Sequence, residues 1–263
     1  MSFVIRSKKF KRQGYREIAL IKGGSNDGKK VFVNDKFNAQ GNQYIKLDKG
    51  NFQPLPSTQE GIVEKLYVSG VSGSGKSTYI SKWISQFLKG KNRNIPIYIF
   101  SSVDFDKAFD DKFEYNIIRI ELDSGLVTNP IQAQELQDSL CIFDDIDTIK
   151  NPVIRKTVCS LRDECLEIGR HYNIRLLCTS HILSNWSATR RLLNESTSVT
   201  VFPRGGGGTY HIKNYLKTYA GMNSEQIKKL INLKSRWVTI VRVFNPFIIS
   251  QKEIYFNKDQ DLE

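Results

Sequence analysis

A chain of 263 residues with 40% hydrophobic side chains can build one α/β domain and a small accessory one, and is too apolar to be disordered throughout. Its formal net charge of +12 and pI near 9.5 fit a polyanionic partner, nucleic acid first, as readily as a basic surface kept for solubility. Residues 1–5 are too short an apolar stretch for a signal peptide and no run approaches the ~20 apolar residues of a membrane span, so the expectation is a soluble, intracellular protein without a membrane partner.

Residues 1–60 carry short apolar or alternating runs, Ile18-Ala19-Leu20-Ile21, Val31-Phe32-Val33 and Tyr44-Ile45-Lys46-Leu47, with a turn signal at Ser25-Asn26-Asp27-Gly28. They read as a small β-rich N-terminal domain or arm, closed by a linker at Pro54 and Pro56. Residues 61–263 read as a second domain that alternates strand and helix. Leu66-Tyr67-Val68 is a strand. Tyr79, Ile80, Trp83, Ile84, Phe87 and Leu88 recur at helical spacing, with Gly90 as the stop. Residues 97–100, 117–120 and 140–143 are apolar strands. A helix opens at Asn151 with Pro152 in its first position and carries Ile154, Val158, Leu161, Cys165 and Ile168 as a stripe. Further strands follow at 176–179 and 199–202, with a helix starting near Ser187 between them. Past Arg204 come a loop at Gly205–Gly208, a helix over 224–233, and strands over 237–243 and 254–256. This rhythm predicts an α/β fold with a mostly parallel central sheet and helices on both faces.

Gly70-Val71-Ser72-Gly73-Ser74-Gly75-Lys76-Ser77 fits G-x-x-x-x-G-K-[ST], between a predicted strand and a predicted helix. Glycines at those places let backbone N–H groups turn inward around phosphates, and the helix N-terminus adds positive potential. Gly70, Ser72, Gly73, Ser74, Gly75, Lys76, Ser77 and Thr78 are therefore the candidate binding set for ATP. Lys76 would reach the β- and γ-phosphates, and the Ser77 hydroxyl would serve Mg²⁺. Downstream, Leu140-Cys141-Ile142-Phe143 runs into Asp144-Asp145, a Walker B pattern. Asp144 would hold the Mg²⁺ shell, and Asp145 would orient or deprotonate a water. A second acid at that place favours hydrolysis over phosphate transfer to a metabolite. The plainer reading is a strand capped by a solvated acidic turn, which Asp147 extends.

The strand at 176–179 ends in Ser180-His181, and polar residues at the carboxyl ends of parallel strands face the ligand crevice. Either His181 or Ser180 could sense the γ-phosphate there, or His181 could be a surface-loop residue. Arg190 and Arg191 are candidates to act on a neighbouring subunit's γ-phosphate, with Arg204 as a competitor and a solvated basic pair as the alternative. Cys141, Cys159, Cys165 and Cys178 form no C-x-x-C pair and read as reduced thiols; the spacing of Cys159, Cys165 and His171 does not match a zinc finger. Charge is segregated. Residues 104–147 hold twelve acids against Lys107, Lys112 and Arg119, whereas residues 204–252 hold nine Lys or Arg against Glu225 alone. Tyr210, Tyr215, Tyr219 and Trp237 interleave with that basic stretch, as nucleic-acid stacking residues or as core.

Together, the run from Gly70 to Ser77, Cys141-Ile142-Phe143-Asp144-Asp145, Gly169-Arg170-His171-Tyr172-Asn173-Ile174, Thr179-Ser180-His181 and Arg190-Arg191-Leu192-Leu193-Asn194 resembles the genome-packaging ATPases of large double-stranded DNA viruses. These are the poxvirus-type members of the FtsK/HerA superfamily of P-loop ATPases. The resemblance covers roughly residues 66–256, and the run beginning at Gly169 is its most distinctive piece. Where the family usually carries Gln at the sensor position, His181 stands here. The resemblance implies a homo-oligomeric ring, pentamer or hexamer, that hydrolyses ATP with Mg²⁺ and drives double-stranded DNA into a preformed capsid. Its setting would be the host cytoplasm, a viral factory or the virion. Residues before the linker fall outside the resemblance, and that N-terminal domain could dock to a capsid portal or to a nuclease. Three other readings stand beside it: another DNA pump of the same superfamily, a small-molecule P-loop kinase, and a nucleotide-switched DNA-binding protein without turnover.

Overall fold

The computed structural model describes all residues except 8, 11, 35–40, 58–61, 90–91, 114–115, 186–187, 205–208, 244–245 and 258–263. Among the described residues the chain opens with five strands, β1 (Ser2–Arg6), β2 (Tyr15–Lys22), β3 (Lys30–Asn34), β4 (Tyr44–Lys46) and β5 (Asn51–Pro54). It then alternates β6 (Lys65–Ser69), α1 (Lys76–Phe87), β7 (Ile97–Ser101), α2 (Asp110–Phe113), β8 (Ile117–Arg119), α3 (Ser124–Thr128), β9 (Leu140–Asp144), α4 (Pro152–Ile168), β10 (Arg175–Ser180) and α5 (Arg190–Glu195). After β11 (Ser198–Val201) come α6 (Thr209–Thr218), α7 (Ser224–Ile231), β12 (Val238–Val241), β13 (Phe247–Ser250) and β14 (Glu253–Phe256). Strands β1, β5 and β13 and helices α2, α3 and α6 are not among the elements expected from sequence. The expected helix stop at Gly90, helix start at Ser187 and loop at Gly205–Gly208 lie outside the described residues.

By its internal contacts the chain divides into two compact units, Met1–Ile62 with Thr200–Glu263, and Val63–Val199. The sequence pattern predicts a boundary near residue 60 with residues 61–263 as one domain, whereas the structure groups Thr200–Glu263 with the N-terminal residues. The C-terminal stretch groups with the N-terminal one because they share a core and a sheet. Strand β4 pairs antiparallel with β14, Ile45 opposite Ile254, and β14 continues through β13 to β12. A second antiparallel sheet runs β1-β3-β2-β5. Phe3 of β1 is fully buried, stacked on Phe256 at 4.1 Å and edge-on to Phe247 at 5.9 Å. Ile18, Ile21, Val31, Val33, Phe52 and Ile249 complete that core.

In the unit Val63–Val199 five strands are all parallel, in the order β8-β7-β9-β10-β6. Strands β6, β9 and β10 are buried almost throughout, as a sheet covered on both faces requires. Helix α4 starts as its sequence dictates: the Asn151 side-chain oxygen Oδ1 accepts from Val153 N at 2.9 Å and Ile154 N at 3.3 Å, and Pro152 sits where no N–H is needed. Ile154, Val158, Leu161 and Cys165 are buried along it, but Ile168, at the end of the expected stripe, is exposed. The segment from Gly169 to Asn173 is the hinge from α4 into β10. Asn173 takes the left-handed conformation (φ 54°), which Asn tolerates, and its side-chain amide donates to Asp138 Oδ1 at 2.7 Å. Among the described residues no helix is long and apolar enough to cross a membrane.

Candidate active site

The order β9-β10-β6 brings the carboxyl ends of three strands together, each carrying one piece of the site. Strand β6 delivers the loop from Gly70 to Gly75 into α1. Gly73 (φ 73°) and Gly75 (φ 107°) both adopt left-handed backbone that a side chain would strain, so the glycines are there for conformation. Gly70 N donates to Ser180 O at 3.1 Å, tying the start of the loop to the end of β10. Ser72, Gly73 and Thr78 are exposed, Ser77 is half-buried and Ser74 is buried. Lys76 opens α1 and is itself buried, 7% exposed. No acid lies in the first turn of α1 to quench the positive end of the helix.

Strand β9 ends in Asp144, and Asp145 follows in the left-handed region (φ 43°, ψ 41°). Non-glycine residues held there cost about 1–3 kcal/mol and persist where surrounding bonds over-determine them. Those bonds come from Thr179 of β10. Its hydroxyl accepts from Asp145 N at 2.7 Å and lies 2.8 Å from Asp144 Oδ1 and 2.9 Å from Asp145 Oδ1, so its single proton is shared between the two carboxylates, bonding one at a time. Ser101 Oγ, at the end of β7, donates to Asp144 Oδ2 at 3.3 Å. Burial raises the Asp144 carboxyl above its ordinary value, and the adjacent Asp145 charge raises it further against the Thr179 hydrogen bond.

The two halves meet at Lys76. Its ammonium donates to Gly70 O at 2.8 Å and lies 3.3 Å from Asp145 Oδ2 and 3.3 Å from His181 Nδ1, while His181 Nε2 lies 3.1 Å from Asp145 Oδ2. An ammonium can only donate, so a Lys76–His181 hydrogen bond requires Nδ1 to accept, in the tautomer whose Nε2–H faces Asp145. Ser180, the other sensor candidate, is buried: its hydroxyl is 2.5 Å from Tyr67 Oη and donates to Ile182 O at 2.8 Å. Tyr67, fully buried in β6, also donates to Leu183 O at 3.1 Å. Ser180 and Tyr67 thus fix the turn that presents His181.

Thr179 is the site residue the sequence reading passed over, apart from quoting it within a motif. Threonine is an ordinary strand former, and only its place on a strand between β6 and β9 gives it both carboxylates. Arg190 and Arg191 are exposed on α5 and do not join this cluster. Arg191 bonds Asp163 Oδ2 at 3.1 Å and Glu167 Oε1 at 3.0 Å, whereas Arg190 forms no ion pair with a described residue. Arg204 is exposed in the other unit. A cleft of about 820 Å³ opens beside the site at the ends of β7 and β8, and shares Ser101 with it. Arg119 at its edge is held by Asp110 through two bonds of 2.9 and 2.6 Å.

The four cysteines are free, with Cys141, Cys165 and Cys178 buried. Burial pushes the Cys141 thiol up to about 12, which leaves it unreactive. Among the described residues no group of three or more His, Cys, Asp or Glu could hold a metal by itself. Ser77 and Asp144 are hard oxygen donors of the kind Mg²⁺ takes when substrate phosphates and water supply its remaining ligands, so the donor set fits that ion.

A parallel sheet with a loop of the G-x-x-x-x-G-K-[ST] pattern after one strand and paired carboxylates after another is the fold of the P-loop NTPases. No model of a known protein family matches the chain. It is 36% identical over 235 residues to uncharacterized protein V3 of Sputnik virophage, covering 89% of this chain and 92% of that protein, and the chain belongs to the family of that virophage protein. The cytoplasmic domain of the Thermomonospora curvata type VII secretion ATPase EccC matches at a TM-score of 0.50 and 12% identity, over 98% of this chain and 31% of that one, which shows the shared fold. The genome packaging NTPase B204 of Sulfolobus turreted icosahedral virus 2 matches at a TM-score of 0.47 and 14% identity, over 72% of this chain and 97% of that one.

Proposed function

We propose that this protein is an ATP-hydrolysing motor that moves double-stranded DNA, and that its task is to package a viral genome into a capsid. The observation that carries the reading is the junction of Lys76, Asp145 and His181, coupled through Thr179 to Asp144. The amides of Gly70 to Gly75 and the Lys76 ammonium grip the β- and γ-phosphates, and Thr78 lies one residue further along α1. Ser77 and Asp144 would hold Mg²⁺, which supplies neutralisation of the phosphate oxygens. Asp145 accepts a proton from water as the water oxygen bonds the γ-phosphorus. The bond to the bridging oxygen breaks, leaving ADP and inorganic phosphate. His181, hydrogen-bonded to both Lys76 and Asp145, senses whether the γ-phosphate is present.

The site supplies no exposed arginine of its own at this junction among the described residues, so Arg190, exposed on α5, is the better candidate than Arg191 to act on a neighbouring subunit in a homo-oligomeric ring. The kinship with a virophage protein and the basic stretch at 204–252 support a viral motor that handles DNA. The N-terminal residues would dock to a portal or a nuclease.

The test is phosphate release by the full chain with and without duplex DNA, for the wild type and Lys76→Ala. The reading expects DNA-stimulated hydrolysis that drops at least ~10²-fold in the variant. A phosphorylated small molecule in place of free phosphate would make the protein a kinase, and ATP binding without turnover would make it a nucleotide-switched binding protein.

A further inference from the structure

Helices α6 and α7 carry a feature that the ATP site does not use. On α6, Ile212, Tyr215 and Leu216 are buried, while Tyr210, Lys213, Asn214 and Lys217 line a groove of about 690 Å³. Those four are spaced i, i+3, i+4, i+7, one face of one helix. Ser224, Ile227, Lys228 and Ile231 repeat the same spacing on α7 and form the opposite wall. Both walls lie within the unit that holds Thr200–Glu263.

The lining of that groove is largely apolar, with Ile227 and Ile231 in it, but its charge is one-sided. Lys213, Lys217 and Lys228 are exposed, none is ion-paired with a described residue, and no acid lines the groove. Neighbouring Lys229 points elsewhere, its ammonium 4.6 Å from the Tyr255 ring. Tyr210 is 75% exposed, whereas Tyr215 is fully buried and Trp237 packs on the core. Of the aromatics that interleave with the basic stretch, Tyr210 is therefore the one on offer at the groove. Three ammoniums, a phenol, the Asn214 amide and the Ser224 hydroxyl are the groups that contact phosphates in protein–DNA interfaces.

We infer that the α6–α7 groove is where the motor tracks the phosphate backbone of duplex DNA, with Lys213, Lys217 and Lys228 as phosphate contacts and Tyr210 as a rim hydrogen-bond donor. The inference rests on the DNA-motor reading above, and assigns it a surface. Charge complementarity selects the occupant: three cations without an ionic partner, in a groove without acids among the described residues, on a chain of net charge +12, suit a polyanion of regular phosphate spacing.

The test uses the full chain and a fluorescent 30-base-pair duplex, with affinity read by anisotropy across salt concentrations. The triple variant K213A/K217A/K228A should bind at least tenfold more weakly, and its log–log salt slope should shrink by roughly 2–3, since each lost phosphate contact removes about 0.9. Replacing the same lysines by arginine should restore most of the affinity. A dispersed control, K22A/K49A/K156A, removes the same charge and should change affinity several-fold less. Hydrolysis without DNA should stay at the wild-type rate in every variant, which verifies the fold. Equal affinity and slope in the triple variant and the wild type would overturn the assignment and leave an acidic protein segment as the occupant; a triple variant no weaker than the dispersed control would overturn it too. A wild type that binds the duplex through these lysines but releases no phosphate would sink the ATPase reading and leave this surface standing.

Discussion

The two units spend their polar side chains in opposite ways. In Val63–Val199 the functional groups stand at strand ends and are held by their neighbours: Asp144 and Asp145 by Thr179, Lys76 by Gly70, Asp145 and His181. In the unit with Thr200–Glu263 the basic groups of the groove stand on helix surfaces, exposed and without ionic partners among the described residues. Bond chemistry needs groups fixed to within a fraction of an ångström. Following a polyanion needs charge density and tolerates loose side chains. The lesson is that substitutions in the first unit should act through geometry, and those in the second through charge count.

The largest effect on stability is expected at Phe143 of β9, fully buried and stacked on Phe100 of β7 at 4.7 Å. Phe143→Ala should cost about 3–5 kcal/mol of stability in urea unfolding, because it leaves a cavity directly under the strand end that bears Asp144. Next comes Thr179→Val, which keeps shape and removes the hydroxyl shared by both carboxylates. We expect turnover to fall roughly 10–100-fold, equivalent to about 1–3 kcal/mol, and stability to fall by about 1–3 kcal/mol because Asp145 N loses its acceptor. A variant with wild-type turnover would mean that backbone alone positions Asp145.

Smaller is the pH dependence of the Asp110–Arg119 pair. The Arg119 guanidinium hydrogen bond holds the Asp110 carboxyl below its ordinary value. The folded form therefore binds that proton less readily than the unfolded form. The pair's stabilisation is complete above the ordinary carboxylate range and is lost as pH falls through the lowered value. Asp110→Asn should flatten the acid limb of the stability curve by about 1 kcal/mol or less, measured by melting between pH 6 and pH 3. The smallest effect belongs to Tyr215, whose buried hydroxyl has no partner among the described residues. Tyr215→Phe should be neutral or raise stability by up to ~1 kcal/mol, and should leave duplex binding unchanged. Weakened binding in Tyr215→Phe would blur the contrast between a buried scaffold and a charged surface.

Much of this was legible in the amino-acid sequence where chemistry and local structure share one short run. Gly70 to Ser77 declares itself by spacing, and Asn151-Pro152 announces α4 by its cap. What stayed hidden depends on distant neighbours. Strand β5 is Asn51-Phe52-Gln53-Pro54, with no apolar run, and exists because β2 offers it a paired edge. Helix α6 mixes Ile212, Tyr215 and Leu216 with polar residues and carries no start signal that the sequence reading recognised. Grouping of the two chain ends follows from the burial of Phe3 against Phe256, a contact no local pattern encodes. Thr179 needed the strand order, and the separation of Tyr210 from Tyr215 needed the helix phase.

The account stands most directly on Asp145 as the group that takes a proton from water. Phosphate release by Asp145→Asn, measured at saturating ATP alongside ATP binding to the same variant, decides it. We predict retained binding with turnover reduced about 10²–10⁴-fold. Turnover equal to the wild type, with ATP bound, would contradict it.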